Sequence, residues 1–453
     1  MFHPMRSFQL SPFAHYTATL RLGLPIAVGQ LGVIIVGFAD TAMVGHYSTD
    51  ALAAAAFVNN LFTLVTFILM GYSYGLTPLV SGLYGCGKQE EAGGVLKNAL
   101  GAGLLFSAVL SVVMGVLYFF LGYMGQPSEL LPLIRTYYLL GLAGIVFVLL
   151  FNVLRQFCDG ITDTSVGMWA LLAGNALNVL GNWLLIGGVG PFPELGLMGA
   201  GWATLASRVL MVAVLAGFLL WRKRYARFRA GFSGTRLSRS EMLHINRVSL
   251  PVSIQMGLET GSFTFSAVAA GWLGAVELAA YQILVTVGTL GFLFYYSFAA
   301  GASIRVAAFV GMGNWQQVRH AERASRHILC ALAAIASVCI LLFARPLVSV
   351  FTTDARVLTV ALAMIVPLVV YQFGDAMQIC YANVLRGTGQ VMSMMKVAFI
   401  SYILINIPLT YLLAFPIGLG LQGIYVAFSF GLFTAALLFV RKFHKVLRSH
   451  GVQ

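Results

Sequence analysis

Charge is what this sequence has least of. Only 9% of its 453 residues are Asp, Glu, Lys or Arg, while 59% are hydrophobic and the mean hydropathy is +0.89. So few charges cannot cover a soluble enzyme of this length, and the composition points to a polytopic protein of the lipid bilayer. Cysteine is thin as well. The five residues Cys86, Cys158, Cys330, Cys339 and Cys380 are scattered, odd in number and without a CxxC pair. They read as free thiols, which excludes a disulfide framework and a cysteine-bound metal. None of the eight histidines lies in mid-span and no HExxH occurs, so zinc hydrolysis has no basis. Nucleotide motifs fail too. Gly82 to Lys88 starts like a phosphate loop but continues with Gln89 and follows an apolar helix, and Gly418-x-Gly420-x-x-Gly423 falls in a turn between two apolar runs.

What charge there is has a pattern. The 27 bases against 14 acids give +13, which in a soluble protein would suggest nucleic acid. Here the bases cluster in short segments between apolar runs, as in cytoplasmic loops, and no nucleic-acid partner is expected. By length and hydropathy about twelve spans are expected, at 22–45, 52–82, 94–121, 132–157, 165–188, 199–221, 248–272, 279–310, 326–350, 357–384, 392–415 and 420–441. The run from Trp221 to Arg247, the tail from Arg441 to Arg448, and Lys88, Lys97, Arg155, Arg319 to Arg326, Arg386 and Lys396 fall on one side. The opposite loops are nearly free of Lys and Arg, with Arg345 and Arg356 as exceptions. The expected orientation puts both termini in the cytoplasm, with no cleaved signal before the first span.

The chain repeats itself. Leu24-Pro25 recurs as Leu250-Pro251, a shift of 251 − 25 = 226, and the same shift carries Gly45 to Gly271, Gly75 to Gly301, Gly85 to Gly311 and Gly87 to Gly313. Further on, with a drift of a residue or two, Asp159-Gly160 falls on Arg386-Gly387 and Asn178 on Asn406. The expected architecture is an all-α integral membrane protein of two homologous six-helix bundles. Residues 1–221 would form an N-terminal lobe, 222–247 a basic cytoplasmic linker and 248–453 a C-terminal lobe, with the substrate site between the halves. The ionisable groups do not repeat: Asp40 falls on Ser266, and Glu259 on Val33.

Those groups are the candidate site. Glu259 stands in an apolar run with Gln255, Ser262 and Ser266 at helical spacing, one polar stripe expected to face inward. Tyr371 and Asp375 share a helical face, with Gln378 one turn on. Two carboxylates, a phenol and amides suit a hard cation or proton exchange; the alternative is a protonated carboxyl that bonds between helices. In the first half Asp40 is either functional or an interfacial acid at a helix end. Asn175, Asn178 and Asn182 lie on one face, as partners of Asp40 or as interhelical glue. Aromatic residues such as Phe263, Tyr281 and Tyr295 either line a cavity for an apolar cation or belong to the core.

Two six-helix halves, Leu24-Pro25, Asp40, Glu259 and Tyr371-Gln-Phe-Gly-Asp375-Ala-Met-Gln378 leading into Leu385-Arg386-Gly387 resemble the multidrug and toxic compound extrusion family over nearly the full length. Asn178-Val-Leu-Gly-Asn182 with Glu259 and Asp375 is similar to its NorM branch, and Gly374 stands where Pro is often found. The resemblance implies a V-shaped fold, sodium binding at Glu259, Asp375 and Tyr371, and a role for Asp40 in cation coupling or substrate binding. It further implies no enzymatic activity and no cofactor beyond a coupling ion, Na+ or H+. Cationic lipophilic small molecules would be exported from a bacterial inner membrane, by a protein expected to be monomeric. A flippase for lipid-linked saccharides is the alternative within the same superfamily; it needs a cationic cavity, and no Arg or Lys is expected near the middle of a span. An integral membrane transferase would need a His/Asp or metal constellation, and none is readable.

Overall fold

The computed structural model describes residues 11–452, and among these every regular element is helical. The first half comprises α1 Pro12–Tyr47, α2 Thr49–Tyr74, α3 Leu76–Gly85, α4 Gln89–Phe120, α5 Leu131–Gly160, α6 Thr164–Ile186 and α7 Leu197–Trp221. A short helix α8, Ala226–Gly234, follows. The second half comprises α9 Arg239–Leu273, α10 Ala275–Gly311, α11 Trp315–Leu342, α12 Ala344–Ser349, α13 Ala355–Ala363, α14 Ile365–Gly387 and α15 Val391–Ala398. After a π-helical stretch, Phe399–Asn406, the chain ends with α16 Ile407–Ala414 and α17 Gly420–Ser449.

Among the described residues ten helices are long and apolar enough to cross a membrane, and the pair α13–α14, bent by 48°, makes an eleventh. The twelfth expected span is α9. At 35 residues it is long enough, but Gln255, Glu259, Thr260, Ser262, Thr264 and Ser266 dilute its apolar interior. The lipid-facing surface is marked by exposed side chains: Leu105, Val109, Val112 and Val116 along α4, and five of the six tryptophans, Trp169, Trp183, Trp202, Trp221 and Trp272.

The turns repeat with the sequence. Gly87 after α3 and Gly313 after α10 take φ of +76° and +69°, conformations that favour glycine. After α5 the corresponding residue is Thr162 at φ +64°, the one non-glycine there among the described residues, where the second half has Gly389 at +74°. Close helix approaches repeat too. A Cβ on Gly160 would meet Val80 Cβ at 2.9 Å, and one on Gly387 would meet Val306 Cβ at 2.9 Å. Val80 and Val306 are related by the same shift as Pro25 and Pro251.

The chain forms two compact units, Val28–Ser253 and the described residues up to Ala27 together with those from Ile254 onward. Their boundaries differ from those of the expected lobes, because each half lends the leading end of its first helix to the other. The crossovers fall at Ala27 and Ser253, equivalent positions of the repeat, each just after its proline, Pro25 or Pro251. Proline removes one intrahelical hydrogen bond at each place, which loosens the helix where it changes company. In unit 28–253, a Cβ on Gly75 would lie 2.6 Å from Ser249 Cα, and Tyr72 Oη donates to Asn246 Oδ1 at 2.5 Å. In the other unit, Gly301 packs against Gly23 N and Thr19 O, each 3.1 Å from its Cβ position.

The basic stretch expected as a linker is docked. Glycines let α8 lie against α4: a Cβ on Gly231 would come within 1.9 Å of Glu90 O, and one on Gly93 within 2.0 Å of Phe228 O. Arg224 Nη2 pairs with Asp163 Oδ2 at 2.7 Å, and Tyr225 donates to the same oxygen. Of the two exceptional bases, Arg356 is paired with Asp354 at 3.1 Å in the loop before α13, so its charge is answered locally. That hydrogen bond holds the Asp354 carboxyl below the usual range.

Gly231→Leu should force α8 off α4, an overpacking cost of about 1–3 kcal/mol. Limited trypsin digestion of the purified protein should then cut faster at Arg227 and Arg229. Gly234→Leu, at a position with open space around it, should digest like wild type; equal rates for all three proteins would show that the glycine contact does not hold the helix.

Candidate functional site

Polar residues gather in two clusters, one inside each unit. In the unit containing Ile254 onward, the polar stripe of α9 faces inward: Gln255, Ser262 and Ser266 are buried and Glu259 is half-buried. Gln255 Nε2 donates to Glu259 Oε2 at 3.1 Å, one turn apart. Across from α9, the middle turns of α14 bring Tyr371, Gln372, Asp375 and Gln378 into the same interior, all buried. Glu259 and Asp375 lie within electrostatic reach of each other, and Tyr371 within reach of both. The Tyr371 ring packs edge-on to Phe263, Tyr425 and Phe428 at centroid distances of 6.5, 6.3 and 6.1 Å. Phe263 and Tyr281 thus belong to an aromatic core around the acids.

The bend before α14 and the π-helical stretch shape this interior. Pro408 in α16 supplies no N–H to the preceding turn, and the chain widens there into the π form. Ser401, Tyr402 and Asn406 turn inward and are buried. Tyr402 reaches towards Glu259, and Asn406 Nδ2 donates to Ser262 Oγ at 2.6 Å. Gly374 lets α14 lie close to α17, its Cβ position 3.3 Å from Leu432 Cβ. Arg386, at the end of α14, donates to Asn383 Oδ1 at 3.1 Å, and its charge reaches Glu259.

The donor set is unbalanced. Asp375 Oδ2, Gln255 Oε1, Gln372 Oε1, Gln378 Oε1, Tyr295 Oη and Tyr402 Oη are buried without a hydrogen-bond partner. An unpaired buried oxygen costs about 1–3 kcal/mol, more for a carboxylate. Four of the six are carbonyl or carboxylate oxygens, which only accept unless a carboxyl is protonated, so a cation or a proton is the partner that fits them. Among the described residues no three His, Cys, Asp or Glu side chains come together, so the set suits a weakly held, oxygen-bound ion better than a transition metal.

In unit 28–253 the cluster is a hydrogen-bonded chain. Asn182 of α6 donates to Asp40 Oδ1 of α1 and, at 3.5 Å, to Asn178 Oδ1. Asn178 Nδ2 donates to Thr204 Oγ1 of α7 at 3.2 Å. Asn175 shares the buried face but bonds to none of them; its Nδ2 packs 2.8 Å from the Cβ position of Gly32 in α1. Tyr137 of α5 lies within electrostatic reach of Asp40 and donates to Asn59 Oδ1 at 3.5 Å.

One residue here corrects the sequence reading. Arg208 lies at the middle of α7, half-buried, within electrostatic reach of Asp40 and Tyr137. The expectation that no base stands mid-span therefore fails: the span 199–221 contains one at its centre. A charge at that depth costs at least about 2.5–3.5 kcal/mol on insertion scales, and a count of bases by position in each span would have found it. Gln372 and Tyr402 are site residues that the sequence reading does not single out, whereas Tyr295 is among its cavity or core aromatics. A glutamine within the Tyr371–Asp375 segment is visible in sequence, but Tyr402 reaches Glu259 only through the π turn, which no periodicity announces.

The sequence and the fold have counterparts in known proteins. The MatE family model matches residues 25–184 and 251–412, two copies that begin at the equivalent prolines Pro25 and Pro251. A probable multidrug resistance protein NorM of Bradyrhizobium diazoefficiens is 30% identical over 441 residues, covering 96% of this chain and 94% of that one. Another from Rhizobium meliloti is 28% identical over 439 residues, covering 96% and 94%. In fold, a MOP superfamily transporter from Pyrococcus furiosus superposes with a TM-score of 0.88 at 20% sequence identity, covering 97% of each chain. With the family model matched in both halves, along most of its length, this chain belongs to the MatE family.

Proposed function

We propose that this protein exports amphiphilic, mostly cationic small molecules across a bacterial inner membrane by alternating access, in exchange for an inward-moving Na+ or H+. The observation that carries the reading is the pair Glu259 and Asp375 among buried oxygens that lack donors. Two carboxylates at this depth are expensive to keep without use. Support comes from relatives named multidrug resistance proteins along nearly the whole chain. Glu259, Asp375 and Tyr371 bind the coupling ion, aided by Gln255 and Gln378, while Asp40 with Asn182 and Asn178 forms a second polar site. Asn175 supports that site by packing.

Exchange follows from competition. An entering cation neutralises the carboxylates that would otherwise hold the outgoing cation, so the two are not held together. The membrane potential contributes about 2.3 kcal/mol per charge per 100 mV to the inward step. In this reading both termini lie in the cytoplasm, in keeping with the basic segments, and the transporter acts as a monomer with no catalytic step.

The second reading, a flippase for lipid-linked saccharides, gains one point from Arg208. A single guanidinium beside Asp40 leaves that site with no net positive charge, which suits a pyrophosphate poorly.

In proteoliposomes loaded with a fluorescent lipophilic cation, an inward sodium gradient and, separately, an inward proton gradient should distinguish the coupling ion. Efflux driven by sodium in wild type should fall at least about tenfold in Asp375→Asn. Efflux driven by protons alone would assign coupling to Asp40 instead, and none under either gradient would sink the export reading. In Glu259→Gln combined with Asp375→Asn, no gradient-driven efflux should remain; retained sodium-dependent efflux would remove these residues from the coupling site.

A further inference from the structure

Arg208 is not used by the coupling just described. Among the described residues no carboxylate lies within 4.0 Å of it, and no protein group accepts a hydrogen bond from it. Its position is nevertheless built. Thr204 is one turn away on the same face of α7, and through Asn178 and Asn182 it belongs to the chain of hydrogen bonds that ends on Asp40. The guanidinium fits a notch in α5: a Cβ on Gly144 would lie 2.0 Å from Arg208 Nη1, so any larger residue there would collide with it. Tyr137, two turns earlier on α5, stands on the same side as Gly144.

An arginine stays protonated under all relevant conditions and offers five donors in a planar fork. Held in place by a neighbouring helix, with those donors unused by the protein, it is arranged to take a carboxylate in two parallel hydrogen bonds. A simple anion would also meet Asp40 and be repelled. A molecule carrying both signs answers both residues, and their complementarity fixes its orientation.

We propose that Arg208 determines how this protein discriminates between carboxylate-bearing and simple cations, Arg208 taking the carboxylate of the transported molecule while Asp40 takes its cationic group. The inference rests on the export reading and adds a specificity-determining residue to it: Arg208 sets the preference between carboxylate-bearing and simple cations.

Tetramethylrhodamine and its methyl ester differ only in whether the carboxylate is free, so they form a matched zwitterion and cation. Binding to the purified protein is read by fluorescence anisotropy, and efflux from proteoliposomes by dequenching under either gradient. Wild type should bind the free acid about as tightly as the ester, and the two should compete. In Arg208→Gln the affinity ratio of acid to ester should fall at least about tenfold, the size expected for losing hydrogen bonds to a charged group. Arg208→Lys should keep most of the ratio. Wild type that binds the ester but not the acid would overturn the proposal, as would Arg208→Gln weakening both probes alike and so leaving their ratio unchanged. Should Arg208→Gln fail to fold, Arg208→Met takes its place: the same fall in the ratio of acid to ester is expected, and an unchanged ratio would overturn the proposal. Because binding needs no gradient, failure of efflux for both probes with binding intact would count against the export reading alone.

Discussion

A charge inside hydrocarbon must be answered by something within the protein, and this chain is arranged around the few places where it carries one. Glu259 makes α9 the least apolar of the long helices, so that helix depends on its neighbours for a polar interior. The bend ahead of α14 and the π-helical stretch beside it supply that interior, bringing Asp375, Tyr371 and Tyr402 to the same place. Both distortions break helical regularity where polar groups are needed, which is where such irregularities concentrate in membrane proteins.

The two halves share a scaffold and differ in what hangs on it. Asn182 corresponds to Thr410 and Asn178 to Asn406, both pairs at the slightly larger shift of the later part of the repeat. The hydrogen bond between the two positions recurs: Thr410 Oγ1 donates to Asn406 Oδ1 at 3.4 Å where Asn182 donates to Asn178 at 3.5 Å. In the first half the network ends on a carboxylate. In the second it ends on a hydroxyl, since Asn406 turns to Ser262 and Asp40's counterpart is Ser266. Most positions that set backbone geometry kept their glycines, with Thr162 opposite Gly389 the exception, and the charged residues were free to diverge.

Much of this could be read from the chain. The number of spans, the internal repeat and the inward polar face of α9 follow from periodicity and composition, because a bilayer leaves few ways to satisfy a backbone. Glu259, Asp375 and Asp40 stood out since acids are rare in apolar runs. What could not be read depended on three-dimensional contacts. The docking of α8 rests on Gly93 and Gly231, which in sequence look like ordinary loop and linker glycines. The π turn has no periodic signature, and the exchange of helix ends leaves only two prolines as a trace. Arg208 is legible as a base within an apolar run, but reading all bases as loop residues hides it.

The reciprocal exchange of helix ends has a consequence for how the protein is made. The unit Val28–Ser253 cannot close when its own spans have left the ribosome, because the piece that packs at Gly75 belongs to the start of the next half. Likewise the opening of α1, the first helix synthesised, has to wait for the second half, including Gly301, before it finds its place. Such long-range closure is slow and leaves partly formed surfaces exposed in the meantime. Neither half is a self-sufficient folding unit, and a gene cut at the basic segment would yield two products, each missing the helix end that completes it.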